Sequence, residues 1–361
     1  MASRRCMRRL STVVLPARPT IADMVPSLTR LKLADSKYML PGSTPISAAA
    51  EHLLDKKLTF ALVYDDVKTS DAQSKVGHKS AITESTVVGM ITERNILQYA
   101  TSASDVAFFS GREKGSPPTS QWMTPRDQML CARLDSTLDS ALNLVHTGIW
   151  RHLPVLDYYG NLHSILDIRD VLQQSVGEHK KEVAWKGCAA SDILGMKRKS
   201  RILEAQSSGG DLYGSPAEAG AGWHDALSAY LLSHAKRHTI SVRSSVEDAA
   251  KQMREEQLTF LVVRDVAPKS GTPERVVGLI NERSFLSFCK GDHPDGAKEP
   301  VSSVMTPLES VLHVSLTDPA SKVIDLFFNK NVRHLPVIDN RAHLAGIISV
   351  RDLLRPLING D

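Results

Sequence analysis

The residues best placed to do chemistry stand in four short runs. The fullest is Gly346-Ile347-Ile348-Ser349-Val350-Arg351-Asp352. Its counterparts carry Gly89, Thr92 and Asn95; Ser164, Asp167 and Asp170; and Gly278, Asn281 and Ser284. A hydroxyl, amide or carboxylate at the middle position can cap a helix, and an acid three residues on favours the positive end of the helix dipole. The same helix start can offer its N–H groups to an external anion. All four runs suit capping, but only some keep the groups for ligand chemistry. Cations are at hand in Arg151-His152 and Arg333-His334, each leading a run RHLPV, and in Arg169 and Arg351, each just before an acid. Other chemistry is poorly provided for. His234 and His238 lie four apart in HAKRH, without the glutamate of HExxH or a third ligand, so no metal site is expected. Cys131 and Cys289 have no histidine at catalytic spacing and read as small buried thiols. No nucleophile elbow, P-loop or dinucleotide fingerprint stands in the right context, so no enzyme activity is expected.

The runs recur because the chain repeats. WMTP at Trp122–Pro125, RHLPV at Arg151–Val155 and Arg169-Asp170 return 182 residues later as VMTP, RHLPV and Arg351-Asp352. LTF at Leu58–Phe60 returns after 200 residues, and VVGMITERNIL at Val87–Leu97 returns after 189 as VVGLINERSFL. The order is A, B, A′, B′, a two-part module duplicated. Each unit opens its first helix with an i, i+3, i+4, i+7 apolar stripe. The stripes are Ile46, Ala49, Ala50, Leu53; Leu138, Ala141, Leu142, Val145; Val246, Ala249, Ala250, Met253; and Ala320, Val323, Ile324, Phe327. Thr44, Ser136, Ser244 and Asp318 are the expected caps, with Pro45 and Pro319 at the first helical position. An aliphatic run then ends at Asp65, Asp157, Asp265 or Asp339, and a second short run and second helix follow. Each unit reads β-α-β-β-α, an α/β fold (α+β within the unit) whose helix crossover makes its flanking strands parallel. A unit of about sixty residues is marginal alone, which explains the pairing.

The 361 residues carry 44 basic and 40 acidic side chains, a formal charge of +4. Arg4, Arg5, Arg8, Arg9 and Arg18 fall in the first 22 residues, where no acid stands. Without them the balance is −1. An acid-free, Arg-rich start with Ser3, Ser11 and Thr12 has the composition of an organellar transit segment, mitochondrial first, plastid as the alternative. A basic tail of a cytoplasmic protein is the plainer reading. The remainder has no bulk charge suited to nucleic acid or an anionic membrane, and no apolar run long enough to span one. The four cysteines are too scattered for a disulfide framework and fit unpaired thiols. Residues 67–86 read as a polar loop, 171–185 as an extended helix, 205–223 as a Gly/Ser/Ala-rich flexible stretch, and Lys197–Arg201 as a solvated basic connector.

The helix starts, the strands ending in Asp, the G-h-h-[ST]-x-x-[DN] element and the β-α-β-β-α order together resemble the cystathionine-β-synthase (CBS) domain. Two such units form a Bateman module, and this chain resembles two modules in tandem. The resemblance divides it into 1–22, 23–104 (unit A), 118–178 (B), a connector 179–223, 224–292 (A′) and 300–361 (B′). It implies an adenosine-containing ligand: AMP, ADP, ATP or S-adenosylmethionine. Asp352, Asp170 and Asn95 would accept from ribose hydroxyls. Ser349 and Thr92 would meet phosphate, with Arg333, His334, Arg151, His152, Arg351 and Arg169 as its cations. Gly346 and Gly89 would let the nucleoside approach the backbone. Ser349/Asp352 is the one complete element, and Asn281/Ser284 reads as empty. The function implied is non-catalytic regulation, with occupancy passed to a protein partner or to a second copy of the chain associating through the modules. Alternatives are a ligand-free structural subunit of an organellar assembly and a γ-like subunit of an AMP-activated kinase.

Overall fold

The computed structural model describes residues 36–65, 87–102, 115–137, 140–141, 144, 152–159, 162–168, 187–194, 237–265, 274–290, 293, 295–330 and 332–353. Unit A contains β1 (Met39–Pro41), α1 (Ile46–Asp55), β2 (Phe60–Tyr64), β3 (Val87–Thr92) and α2 (Glu93–Ser102). Unit B follows with β4 (Thr124–Pro125), β5 (Ala132–Arg133), β6 (His152–Leu156) and β7 (Leu162–Asp167). Unit A′ has β8 (Thr239–Ser241), α3 (Val246–Glu255), β9 (Phe260–Asp265), β10 (Arg275–Asn281) and α4 (Glu282–Phe288). Unit B′ has β11 (Thr306–Pro307), α5 (Ala320–Asn329), β12 (His334–Ile338) and β13 (Leu344–Ser349).

The strands flanking each crossover are parallel, β1 with β2, β5 with β6 and β8 with β9, and the next pair is an antiparallel hairpin in all four units. The expected stripes of α1, α3 and α5 are their buried residues. In unit B, Ala141 is buried, while Leu138, Leu142 and Val145 lie outside the described residues.

The caps differ from expectation. Pro45 and Pro319 are themselves the N-cap residues, without side-chain caps, and Ser245 rather than Ser244 forms a capping box with Asp248. The reason is that a distant segment satisfies the first helical N–H. Ile46 donates to the Pro117 carbonyl, Val246 to Glu299 and Ala320 to Cys188. Each accepting segment is a clasp that leads one unit and packs on the other unit of its module. Residues 187–194, inside the expected connector, are the clasp of unit B′, with Ala190, Ile193 and Leu194 buried in its core. Cys188 is disulfide-bonded, contrary to the unpaired thiols expected, while Cys131 and Cys289 are free and half-buried. Burial pushes the Cys131 thiol up.

Among the described residues, four apolar cores join the units. The α1/α2 face of unit A packs on the α3/α4 face of A′, and B packs on B′ around Ala141, Val323, Ile324 and Phe327. The sheets of A and B meet through Phe60, Leu62, Met90 and Ile165, and those of A′ and B′ through Phe260, Val262 and Ile338. The two modules therefore stack within one chain. Among the described residues no helix is long and apolar enough to cross a membrane. Residues 1–22, 67–86, 171–185, 197–201 and 205–223 lie outside the described residues.

Candidate functional site

Every unit brings the same two positions together. The first residue of the hairpin pairs with the last, the residue that starts the following helix: Phe60 with Thr92, His152 with Asp167, Phe260 with Asn281 and His334 with Ser349. Ring contacts join these pairs across each module. Phe60 lies between Tyr38 and His152, at centroid distances of 5.7 and 4.6 Å, and Phe260 between His238 and His334, at 5.4 and 4.8 Å.

The helix starts satisfy themselves. The Asp352 Oδ2 accepts from both the N–H and the hydroxyl of Ser349 at 2.7 Å. The Asn95 Oδ1 accepts from the Thr92 N–H at 3.0 Å and its hydroxyl at 2.6 Å, and Asn281 and Ser284 form a reciprocal capping box. Capping thus accounts for three of the runs. The glycines are also used by the protein. A side chain at Gly89 would meet the Met123 sulfur at 2.5 Å and the Thr124 carbonyl at 2.6 Å, and one at Gly278 the Thr306 carbonyl at 2.6 Å. At Gly346 it would meet Leu194 at 2.9 Å. The backbone approach expected of a nucleoside at Gly346 and Gly89 is therefore made by the clasps.

The basic residues divide. Arg333 crosses from B′ to B, where its NH2 group donates to Asp167 at 2.5 Å and to His152 Nε2 at 3.2 Å. His152, 5% exposed, also meets the Thr59 hydroxyl of unit A at 3.0 Å. The same Nε2 stands 3.6 Å from the Asp167 carboxylate; in the neutral ring it accepts from the guanidinium, which only donates, and the proton is on Nδ1. Asp167 is paired internally, with Arg333. His334 lies against Phe260, and Arg351 is half-buried in the following helix. Arg151, Arg169 and Asp170 lie outside the described residues, as does His234.

A cavity of about 840 Å³ opens where units A, A′ and B′ meet, within the usual range of roughly 300–1,000 Å³ for small-molecule sites. Leu54, Phe260, Leu279, Val311 and Leu312 supply apolar wall, Thr59, Thr259, Asn281 and Thr306 neutral polar groups, Lys57, Arg283, Lys290, Arg333 and His334 the basic groups, and Asp55, Glu93 and Glu282 the acids; Ser349 and Asp352 are not among the lining residues. It borders Asn281, in the element read as empty, because its polar groups come from several strands rather than from one motif. Ser349 sits directly across the strand pair from His334.

Two Glu-Arg dipeptides hold the floor of this region. Arg94 donates to Glu282 at 3.2 Å, and Arg283 donates to Glu93 at 3.1 Å, a reciprocal exchange between α2 and α4. Arg283 also donates to the Leu54 and Leu58 carbonyls and Arg94 to that of Gln257. The dipeptide Glu-Arg recurring at 93–94 and 282–283 was the available signal.

A family model described as the CBS domain matches residues 120–177 and 301–359. An uncharacterized 17.7 kDa protein of Acidianus ambivalens is 33% identical over 124 residues, 34% of this chain and 69% of that one. The fold is similar to that of protein MJ1225 from Methanocaldococcus jannaschii, a proposed archaeal homologue of g-AMPK, with TM-score 0.54, 17% identity and coverage of 91% of this chain and 99% of that one. The CBS-pair protein CBSX2 of Arabidopsis thaliana, solved in complex with AMP, matches 44% of this chain and 96% of its own at 24% identity and TM-score 0.30. The chain belongs to the CBS-domain family, as a tandem CBS (Bateman) protein.

Proposed function

We propose that this protein is a non-catalytic regulator that binds an adenosine-containing ligand, AMP, ADP, ATP or S-adenosylmethionine, and passes its occupancy to a protein partner. The observation that carries this is the cavity, whose walls come from three units and combine an aromatic and aliphatic lining with a guanidinium and an imidazole. A ligand there touches A, A′ and B′ together, so it favours one arrangement of the modules over others, as a population shift requires. In this reading Arg333 and His334 face the anionic end. Asp352 lies outside the cavity lining, so a ligand meets it by extending past His334 to the paired Ser349, whose hydroxyl then turns from Asp352 to the ligand. Thr92 and Asn95 form a second element, and Arg151, Arg169 and Asp170 the corresponding groups of unit B.

Titration calorimetry of the full chain with the four ligands tests it. At least one binds, and Asp352→Ala weakens that ligand. Absence of heat with all four sinks the reading and leaves a structural role. We also propose that residues 1–22 direct the chain to mitochondria. Fused to a fluorescent protein they should give an organellar pattern, and a diffuse cytosolic signal refutes it.

A further inference from the structure

Unit B departs from its counterparts at one position. Where Thr92, Asn281 and Ser349 end their strands with neutral polar groups, Asp167 places a carboxylate. Its side chain is 13% exposed and is paired with Arg333, 15% exposed, from the opposite module. Arg333 also lines the cavity, and its Nε is buried without a hydrogen-bond partner. One guanidinium therefore stands between an internal carboxylate and a space large enough for a ligand.

We infer that Asp167 is a built-in anion that holds Arg333 in the role of a ligand phosphate, so that a phosphate group entering the cavity competes with Asp167 for Arg333. The inference rests on the cavity being a ligand site and adds the chemical class to which it responds. A phosphate and a carboxylate that share one guanidinium repel each other, so both do not keep it at full strength. When the phosphate takes Arg333, the B′-to-B ion pair opens and His152 loses one donor while keeping Thr59. Occupancy is thereby carried from B′ through B to A. A ligand without phosphate leaves the bridge closed.

The probe is inorganic pyrophosphate, titrated calorimetrically into the full chain and into Asp167→Ser. Serine is the residue at the matching position 349, and both Asp and Ser cap helices well, so the helix start is kept. The variant binds pyrophosphate roughly tenfold more tightly or better, the scale of one charge-assisted hydrogen bond. Asp167→Asn, also a capping residue, shows the same gain and stands in should the serine variant fold poorly. Equal affinity in wild type and a folded variant, or no pyrophosphate binding to any of them, overturns the inference. AMP and adenosine are titrated alongside. A gain for AMP alone supports the competition, and an equal gain for both overturns it. If no adenosine ligand binds while the pyrophosphate gain persists, the adenosine reading fails and the competition stands.

Discussion

Replacing Arg94 by alanine removes one half of the reciprocal exchange between α2 and α4. Its partner Glu282 is 2% exposed, and the Arg94 guanidinium 17%. Taking one member from a buried ion pair costs about 3–5 kcal/mol, because the remaining charge stays in a poorly solvated place. The partial exposure of Arg94 admits some water, which puts the expected loss near the lower end, about 3 kcal/mol. Arg283 is 34% exposed against Glu93 at 7%, so solvent screening makes Arg283→Ala the milder of the two. The apolar double variant Arg94→Met/Glu282→Leu removes both charges together and should lie within about 1 kcal/mol of wild type. Urea unfolding followed by tryptophan fluorescence reads this, since Trp122 stands edge-on to Tyr99 at 5.1 Å beside this core. The midpoint falls at unchanged slope if stability alone has altered. A loss below about 0.5 kcal/mol for Arg94→Ala, or a double variant as unstable as the single, would refute the clamp.

Three further outcomes follow from the geometry. Gly278→Ala and Gly89→Ala push on backbone carbonyls at 2.6 Å, whereas Gly346→Ala meets only the end of the Leu194 side chain. The first two should therefore cost roughly 1–3 kcal/mol and the last less, and melting temperatures in the reverse order would contradict the clasp geometry. Backbone N–H groups of His343 and Arg341 donate to Asp339 at 2.8 Å each, and these, His343's first, hold its carboxyl below the ordinary carboxylate value. The contribution is present above the unfolded value and lost as pH falls through the lowered one. Carbon NMR should show Asp339 titrating below a peptide aspartate, and titration at or above it refutes this. Nitrogen NMR should find the neutral His152 ring protonated at Nδ1, and an Nε2–H tautomer would contradict the Arg333 contact.

Much of the fold was legible because its signals are local. The stripes of α1, α3 and α5 depend only on spacing within one helix, and the repeat offsets only on comparing one module with the other. The caps were misplaced at Thr44, Ser244 and Asp318 because the first N–H groups bond carbonyls such as Pro117 and Glu299, far along the chain. Gly89 and Gly346 were legible as points of close approach, but what approaches them is a clasp. The link from Arg333 to Asp167 spans 166 residues and exists only once the modules close. A carboxylate in place of a hydroxyl, with an arginine retained in the other module, was its only trace. The cavity escaped motif reading for the same reason, since no unit contains enough of its wall.

The proposed adenosine site lies at the junction of A, A′ and B′. Hydrogen exchange on the full chain, with and without saturating AMP, tests it most directly. Exchange should slow at Thr259–Phe260, Asn281, Val311–Leu312 and Arg333–His334, which form part of the cavity wall. Unchanged exchange at all of these positions, with AMP, ADP, ATP and S-adenosylmethionine alike, would contradict it.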